Sequence, residues 1–161
     1  MVRILDRELE TLLNEQANLE LQASYKYLSA SFKANELDLN RIEKFLLEQS
    51  AEERLHALDF YAFIQKKNGK AVFRPVEIDL PKMESPEDIF KFAYDSEILV
   101  SEKINNIIEK ANAKDPEVAI FLMDYAKKQT EEIDIALGNL KMAKDFGKEK
   151  INCRFLDREF D

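Results

Sequence analysis

A chain of 161 residues, 45% apolar and 35% charged, can bury one sizeable core and is too short for two ordinary domains, so residues 1–161 read as a single domain. Only three glycines and four prolines, beside abundant Leu, Ile, Ala, Glu and Lys, favour long amphipathic helices over sheets. With 32 acidic against 24 basic residues the net charge is −8, which excludes nucleic acid as the main partner, and no apolar run approaches the roughly 18 residues of a membrane span.

The N-terminus interleaves charges with leucines and lacks the uninterrupted apolar core of a signal peptide. From there, residues 4–33 carry Leu5, Leu9, Leu13, Ala23, Tyr27 and Phe32 at helical spacing, which predicts a first helix. A second runs from Asp38, in the N-cap position, to Lys67, where Asn68-Gly69 supplies a stop. The stretch 68–84 holds Gly69, Pro75 and Pro81 and has no helical period. Its 17 residues extend to roughly 55–60 Å, against about 45 Å for a 30-residue helix. The segment can therefore travel the length of a bundle and leave helices two and three parallel; a disordered linker between two helical hairpins is the alternative. Ser85-Pro86-Glu87-Asp88 opens a third helix with a cap, a first-turn proline and acids in the first turn. Asp115-Pro116-Glu117 opens a fourth in the same way, running to Gly147, and Ile151 to Phe160 can form a short fifth. The joints near 34–38 and 112–115 are short, so each joins antiparallel neighbours. Cys153 is the only cysteine, which rules out an internal disulfide or a four-cysteine metal site and points to a reducing cytoplasm.

On a helical wheel each long helix places a glutamate in its apolar stripe. Glu20 lies within about 20° of Leu9, Leu13 and Tyr27, and Glu53 within about 20° of Ile42, Leu46, Phe60 and Ile64, with His56 one turn on. Glu97 shares its stripe with Phe90, Ile104 and Ile108; Glu132 shares one with Phe121, Tyr125 and Ala143, with Gln129 a turn earlier. A lone Glu-x-x-His is usually a solvated pair, and a single histidine on an apolar face is usually a hydrogen-bonded core residue. Four aligned carboxylates are harder to reconcile with a core, because each one buried and unpaired costs several kcal/mol. Metal is the economical reason, since di-iron bundles draw single glutamates from two helices and Glu-x-x-His pairs from two others. The i, i+3 spacing aims both side chains of Glu53-x-x-His56 at one ion. Gln129-x-x-Glu132 stands where a second Glu-x-x-His would be. Oxygen donors with one nitrogen suit iron better than a thiolate-seeking metal. Glu48, Glu52 and Asp59 make an acidic strip beside these residues on helix two and are candidate cavity-surface residues, although an ordinary solvated face also explains them.

Asn14-Glu15-Gln16-x-Asn18-x-Glu20, Tyr25-x-Tyr27-Leu28, Ala51-Glu52-Glu53-x-x-His56-Ala57 and Gln129-x-x-Glu132 together resemble the prokaryotic non-haem ferritins, above all the bacterial type that oxidises iron. The resemblance extends over almost the whole chain, to Phe155-Leu156-Asp157-Arg158-Glu159. It implies an all-α, ferritin-like four-helix bundle with one long crossover between helices two and three and a short fifth helix. It implies an iron-storage protein with ferroxidase activity, Fe(II) being oxidised by O2 or H2O2 and ferric oxide accumulating in a shell of 24 subunits. By resemblance Glu20, Glu53 and His56 bind a first iron, Glu53 bridges to a second held by Glu97 and Glu132, and Gln129 lies at or beside the site. Tyr27 matches a tyrosine that hydrogen-bonds into the site and donates an electron. A third, weaker iron site maps to Glu52, Glu131 and Glu132; no haem is expected. In two places the chain departs from the pattern: Lys128 stands where a further third-site glutamate is common, and Asp124 where an aromatic is common. The Lys128 ammonium is then expected to take the place of the third cation. A related di-iron oxygenase or peroxide-reducing bundle would keep the core residues without the shell.

Overall fold

Residues 4–161 are described by the computed structural model, in five helices: α1 (Arg7–Glu36), α2 (Asn40–Lys66), α3 (Pro86–Lys114), α4 (Pro116–Phe146) and α5 (Lys150–Asp157). Helix α1 packs along α2, α3 along α4, and α1 against α3, while α5 rests on α4 and α2. This is the four-helix bundle with a short fifth helix that the sequence implied.

Local chemistry sets most of the boundaries. The side chain of Asp6 accepts from Glu8 N and Leu9 N, Ser85 from Asp88 N, and Asp115 from Glu117 N and Val118 N. Each such cap contributes about 1 kcal/mol. Pro86 and Pro116 follow their caps in the first turn, where a missing N–H costs nothing.

Asp38 departs from expectation. It does not cap α2 but closes α1, at φ 60°, with Asp38 N donating to Asn35 O and Leu39 N to Ala34 O. These are the two bonds of a Schellman ending, and aspartate is among the few residues that tolerate the left-handed position. Helix α2 starts two residues later and has no cap of its own. Asp157 of α5 supplies one, its carboxylate accepting from Arg41 N at 3.1 Å and Ile42 N at 2.8 Å. Asn68, at φ 59°, ends α2 by the same Schellman pattern, with Gly69 N bonded to Ile64 O at 2.8 Å. Gly69 is a close approach as well: a Cβ there would come within 2.9 Å of Leu5 Cδ2 and 3.0 Å of Ile64 Cγ2.

The segment after Gly69 is a strapped crossover rather than a free linker. Lys70 N donates to Glu10, Asn14 bonds both Lys70 O and Val72 N, and Asn18 Nδ2 reaches Arg74 O. The strand thus follows α1 from its first turns, and Met83, near its end, joins Tyr27, Ala34 and Leu39 in the core. Side-chain amides on α1 meet the backbone groups that a non-helical segment cannot pair within itself.

The core divides into two clusters. Leu9, Leu13, Phe60, Ile64, Ile104 and Leu122 pack in one, and Ala34, Ile42, Leu46, Ile89, Phe90 and Leu156 in the other. Phe32, expected in the α1 stripe, is exposed. It lies five residues after Tyr27, a spacing that rotates it off the stripe, and Ala30 and Ala34 hold the buried positions instead. Among the described residues no helix is long and apolar enough to cross a membrane.

Candidate metal centre

Between the two apolar clusters the buried side chains are polar. Glu20, Glu53, Glu97 and Gln129 are at most 2% exposed, and His56 is 6% exposed. Each sits about midway along its helix, where the bundle is closed on both sides by core. Glu132 is half-buried, and Glu52 and Glu131 are exposed.

Three groups of ligand atoms converge, each within 4.8 Å: Glu20, Glu53 and His56; Glu53, Glu97 and Glu132; and Glu52, His56 and Glu132. Glu53 belongs to the first two, as a carboxylate bridging two cations must. His56 Nδ1 lies 3.3 Å from Glu53 Oε2 and 4.0 Å from Glu20 Oε2, and its Nε2 lies 3.7 Å from Glu132 Oε1. Glu131 enters none of the groups. The outer group therefore pairs Glu52 and Glu132 with His56, whereas the resemblance put Glu131 there.

Tyr27 Oη donates to Glu97 Oε1 at 2.5 Å, and Gln129 Nε2 donates to Glu97 Oε2 at 2.6 Å and to its carbonyl at 3.1 Å. Both Glu97 oxygens thus have protein partners. On the opposite helix Gln16 Nε2 donates to Glu20 Oε1 at 3.1 Å. Glu20 Oε2, Glu53 Oε1 and Glu132 Oε2 are buried with no hydrogen-bond partner. An unmet buried acceptor costs about 1–3 kcal/mol. Three of them on residues whose ligand atoms converge fit cations of the hard, oxygen-seeking kind.

The electrostatics agree. Burial, reinforced by the Glu53 charge, pushes the Glu20 carboxyl well above its usual range. Burial and the Glu97 charge do the same to Glu53. Glu132 is raised to about 7, by burial first and then by Glu97. Like charges crowded in a dry space hold protons until a cation replaces them. Burial and the neighbouring Glu97 charge also raise the Tyr27 phenol.

Residues 10–143 match the ferritin-like domain. The chain belongs to the ferritin family. It is 29% identical over 146 residues to a bacterial non-heme ferritin of Campylobacter jejuni, spanning 90% of this chain and 87% of that one. It is likewise 29% identical over 130 residues to a probable bacterial non-heme ferritin-like protein of Haemophilus influenzae, across 80% and 79% of the two chains. Among solved structures, an open pore ferritin from the hyperthermophilic archaeon Archaeoglobus fulgidus superposes with a TM-score of 0.91 at 28% identity, covering 96% of both chains.

Two residues of this ferritin's centre lay in plain view of the sequence without a role. Gln16 stands one turn before Glu20 on the same stripe, and that spacing could have marked it as the partner of Glu20. Tyr125 looked like core filler, yet its ring meets His56 edge-on with centroids 5.3 Å apart, and its buried hydroxyl has no partner. Lys128, one turn before Glu132, holds its ammonium 5.8 Å above the Tyr125 ring, a cation at the rim of the centre.

Proposed function

We propose that this ferritin stores iron and that the cluster between its helices is a ferroxidase centre, which takes Fe(II) as substrate. One observation carries the reading: Glu53 is common to a histidine-containing group and an all-carboxylate group, and both groups include residues with an orphaned buried oxygen. Glu20, Glu53 and His56 hold the first ion, and Glu53, Glu97 and Glu132 the second. Gln129 lies beside the second position and orients Glu97 rather than binding. As the ions enter, Glu20, Glu53 and Glu132 release the protons that burial made them keep. Each Fe(II) then gives up one electron. O2 takes two electrons and two protons to become H2O2, or H2O2 takes two of each to become two waters. The carboxylates stabilise the higher charge of Fe(III). Tyr27, hydrogen-bonded to Glu97, holds that carboxylate beside the second position.

The side without histidine binds through oxygen alone, so it lets its ferric ion move on more readily, which suits a centre that turns over and stores. Storage requires a shell, and by family resemblance 24 chains form it, in the cytoplasm, with a ferric oxide interior. The outer group of Glu52, His56 and Glu132, with Glu131 near it in sequence, is a weak third position that Lys128 opposes.

Anaerobic Fe(II) titration of the iron-free protein, followed by O2, tests the centre. Saturation at two ions per chain and oxidation faster than in buffer are expected; binding without saturation, or oxidation at the buffer rate, overturns it. Size-exclusion chromatography tests the shell, because 24 chains of 18.8 kDa elute far ahead of a dimeric di-iron oxidase.

A further inference from the structure

A narrow slot of about 10 Å³ borders the metal centre, with Tyr27 and Glu132 in its wall. Phe90, Ala93 and Ala136 are its other buried positions, while Phe45, Gln49 and Asn139 are half-buried and Ile135 is exposed. The residues nearest the surface belong to α2 and α4, so the mouth lies between these two helices. Helix α1 packs along α2, and α3 along α4, but no comparable seam joins α2 to α4. The slot lies at that looser seam.

Size and polarity decide what can use it. The volume is about the least that admits one water-sized molecule. Fe(II) with its water shell is several times larger, and on the way to Glu132 it would exchange that shell for five apolar side chains and the amides of Gln49 and Asn139. Stripping a cation of water in such surroundings is costly. Iron has oxygen ligands elsewhere, from the exposed Glu52 inward to Glu132 and His56. O2 is different. It is small and uncharged, and it gives up no strong hydration on entering an apolar passage. H2O2 is also small, but it would lose hydrogen bonds to water that the aromatic and aliphatic walls do not replace.

We propose that this slot is the port by which O2 reaches the centre, separate from the carboxylate approach of the iron, with Ile135 setting its width at the mouth. The port's use rests on the ferroxidase reading; its occupancy by O2 does not. Each substrate then arrives by a path matched to its hydration, and O2 emerges beside Glu132 on the side without histidine.

Two measurements test the port. In the assembled, iron-free protein with isotope-labelled alanine methyls, dissolved O2 should broaden the Ala93 and Ala136 resonances about threefold more than that of Ala119. Ala119 is as deeply buried but lies in the close-packed apolar cluster. Ile135→Trp should remove the excess, and because Ile135 is 54% exposed the variant keeps its fold. With iron, the same variant should raise the KM for O2 about fivefold at unchanged kcat. Its anaerobic Fe(II) affinity and its rate with H2O2 in the absence of O2 should match the parent. Ala93 and Ala136 broadened no more than Ala119, an unchanged KM for O2, or equal slowing with H2O2 overturns the proposal. Excess broadening in a parent protein that oxidises no iron would leave the port standing and sink the ferroxidase reading alone.

Discussion

On the His56 side of the centre, Glu20 and Glu53 each bury a carboxylate oxygen that has no hydrogen-bond partner, whereas across the bundle both Glu97 oxygens are already held by Tyr27 and Gln129. Both sides keep unpaired oxygens, since Glu132 Oε2 on the second is orphaned too, but only the first has no carboxylate whose two oxygens are both held by hydrogen bonds from protein side chains. On the second side Glu97 is ordered in advance, and a cation that binds it must share or displace a bond that the protein already makes. Two halves linked by one carboxylate therefore differ in what binding costs them. The first ion should prefer the His56 side, with the second following on a carboxylate set kept in place by its neighbours.

The largest test cuts the link. Glu53→Ala should abolish both positions together and slow oxidation by more than the ~10–100-fold that losing an outer partner costs. Stopped-flow oxidation and anaerobic titration would read this, and one site surviving intact would separate the two halves. Gln129→Leu sharpens the comparison from the ordered side: the second ion should bind roughly tenfold more weakly while the first is unchanged. Equal losses at both ions would erase the distinction.

Lys128→Glu removes the rim cation and should raise the number of tightly held irons per chain, counted on the washed protein. An unchanged stoichiometry would detach Lys128 from the outer group.

The smallest effect is on stability. Glu132, raised to about 7, and Glu20 and Glu53, raised above the usual 4.5, hold protons more strongly folded than unfolded. The contribution of Glu132 is fully present below about pH 4.5 and fades as pH climbs through about 7, and Glu20 and Glu53 act in the same direction. The metal-free protein should therefore melt at a lower temperature at about pH 8 than at about pH 5.5, as scanning calorimetry can record. Bound metal should flatten the trend, since it replaces the protons.

The convergence of these carboxylates was readable in advance because period and chemistry disagreed: Glu20, Glu53, Glu97 and Glu132 occupy positions where a helix stripe demands leucine. Ser85 and Asp115 were readable as caps because a cap acts on its own helix within three residues. Asp38 misled because the same residue type serves at either end of a helix, and its neighbours Ala34 and Asn35 chose the left-handed ending. Long-range partners left no local trace. The grip of Asn14 and Asn18 on the crossover spans 56 residues, and no window of sequence contains both sides of it. The bond between Gln129 and Glu97 was equally hidden, although each residue was a candidate alone.

The carboxylate that completes the start of α2 comes from a position 115 residues further along the chain. The leading turn of the second helix thus depends for its cap on a residue made long after it, whereas its partner α1 directly precedes it in the chain. Docking of α5 therefore fastens that end of the bundle by tying α2 to a distant part of the sequence.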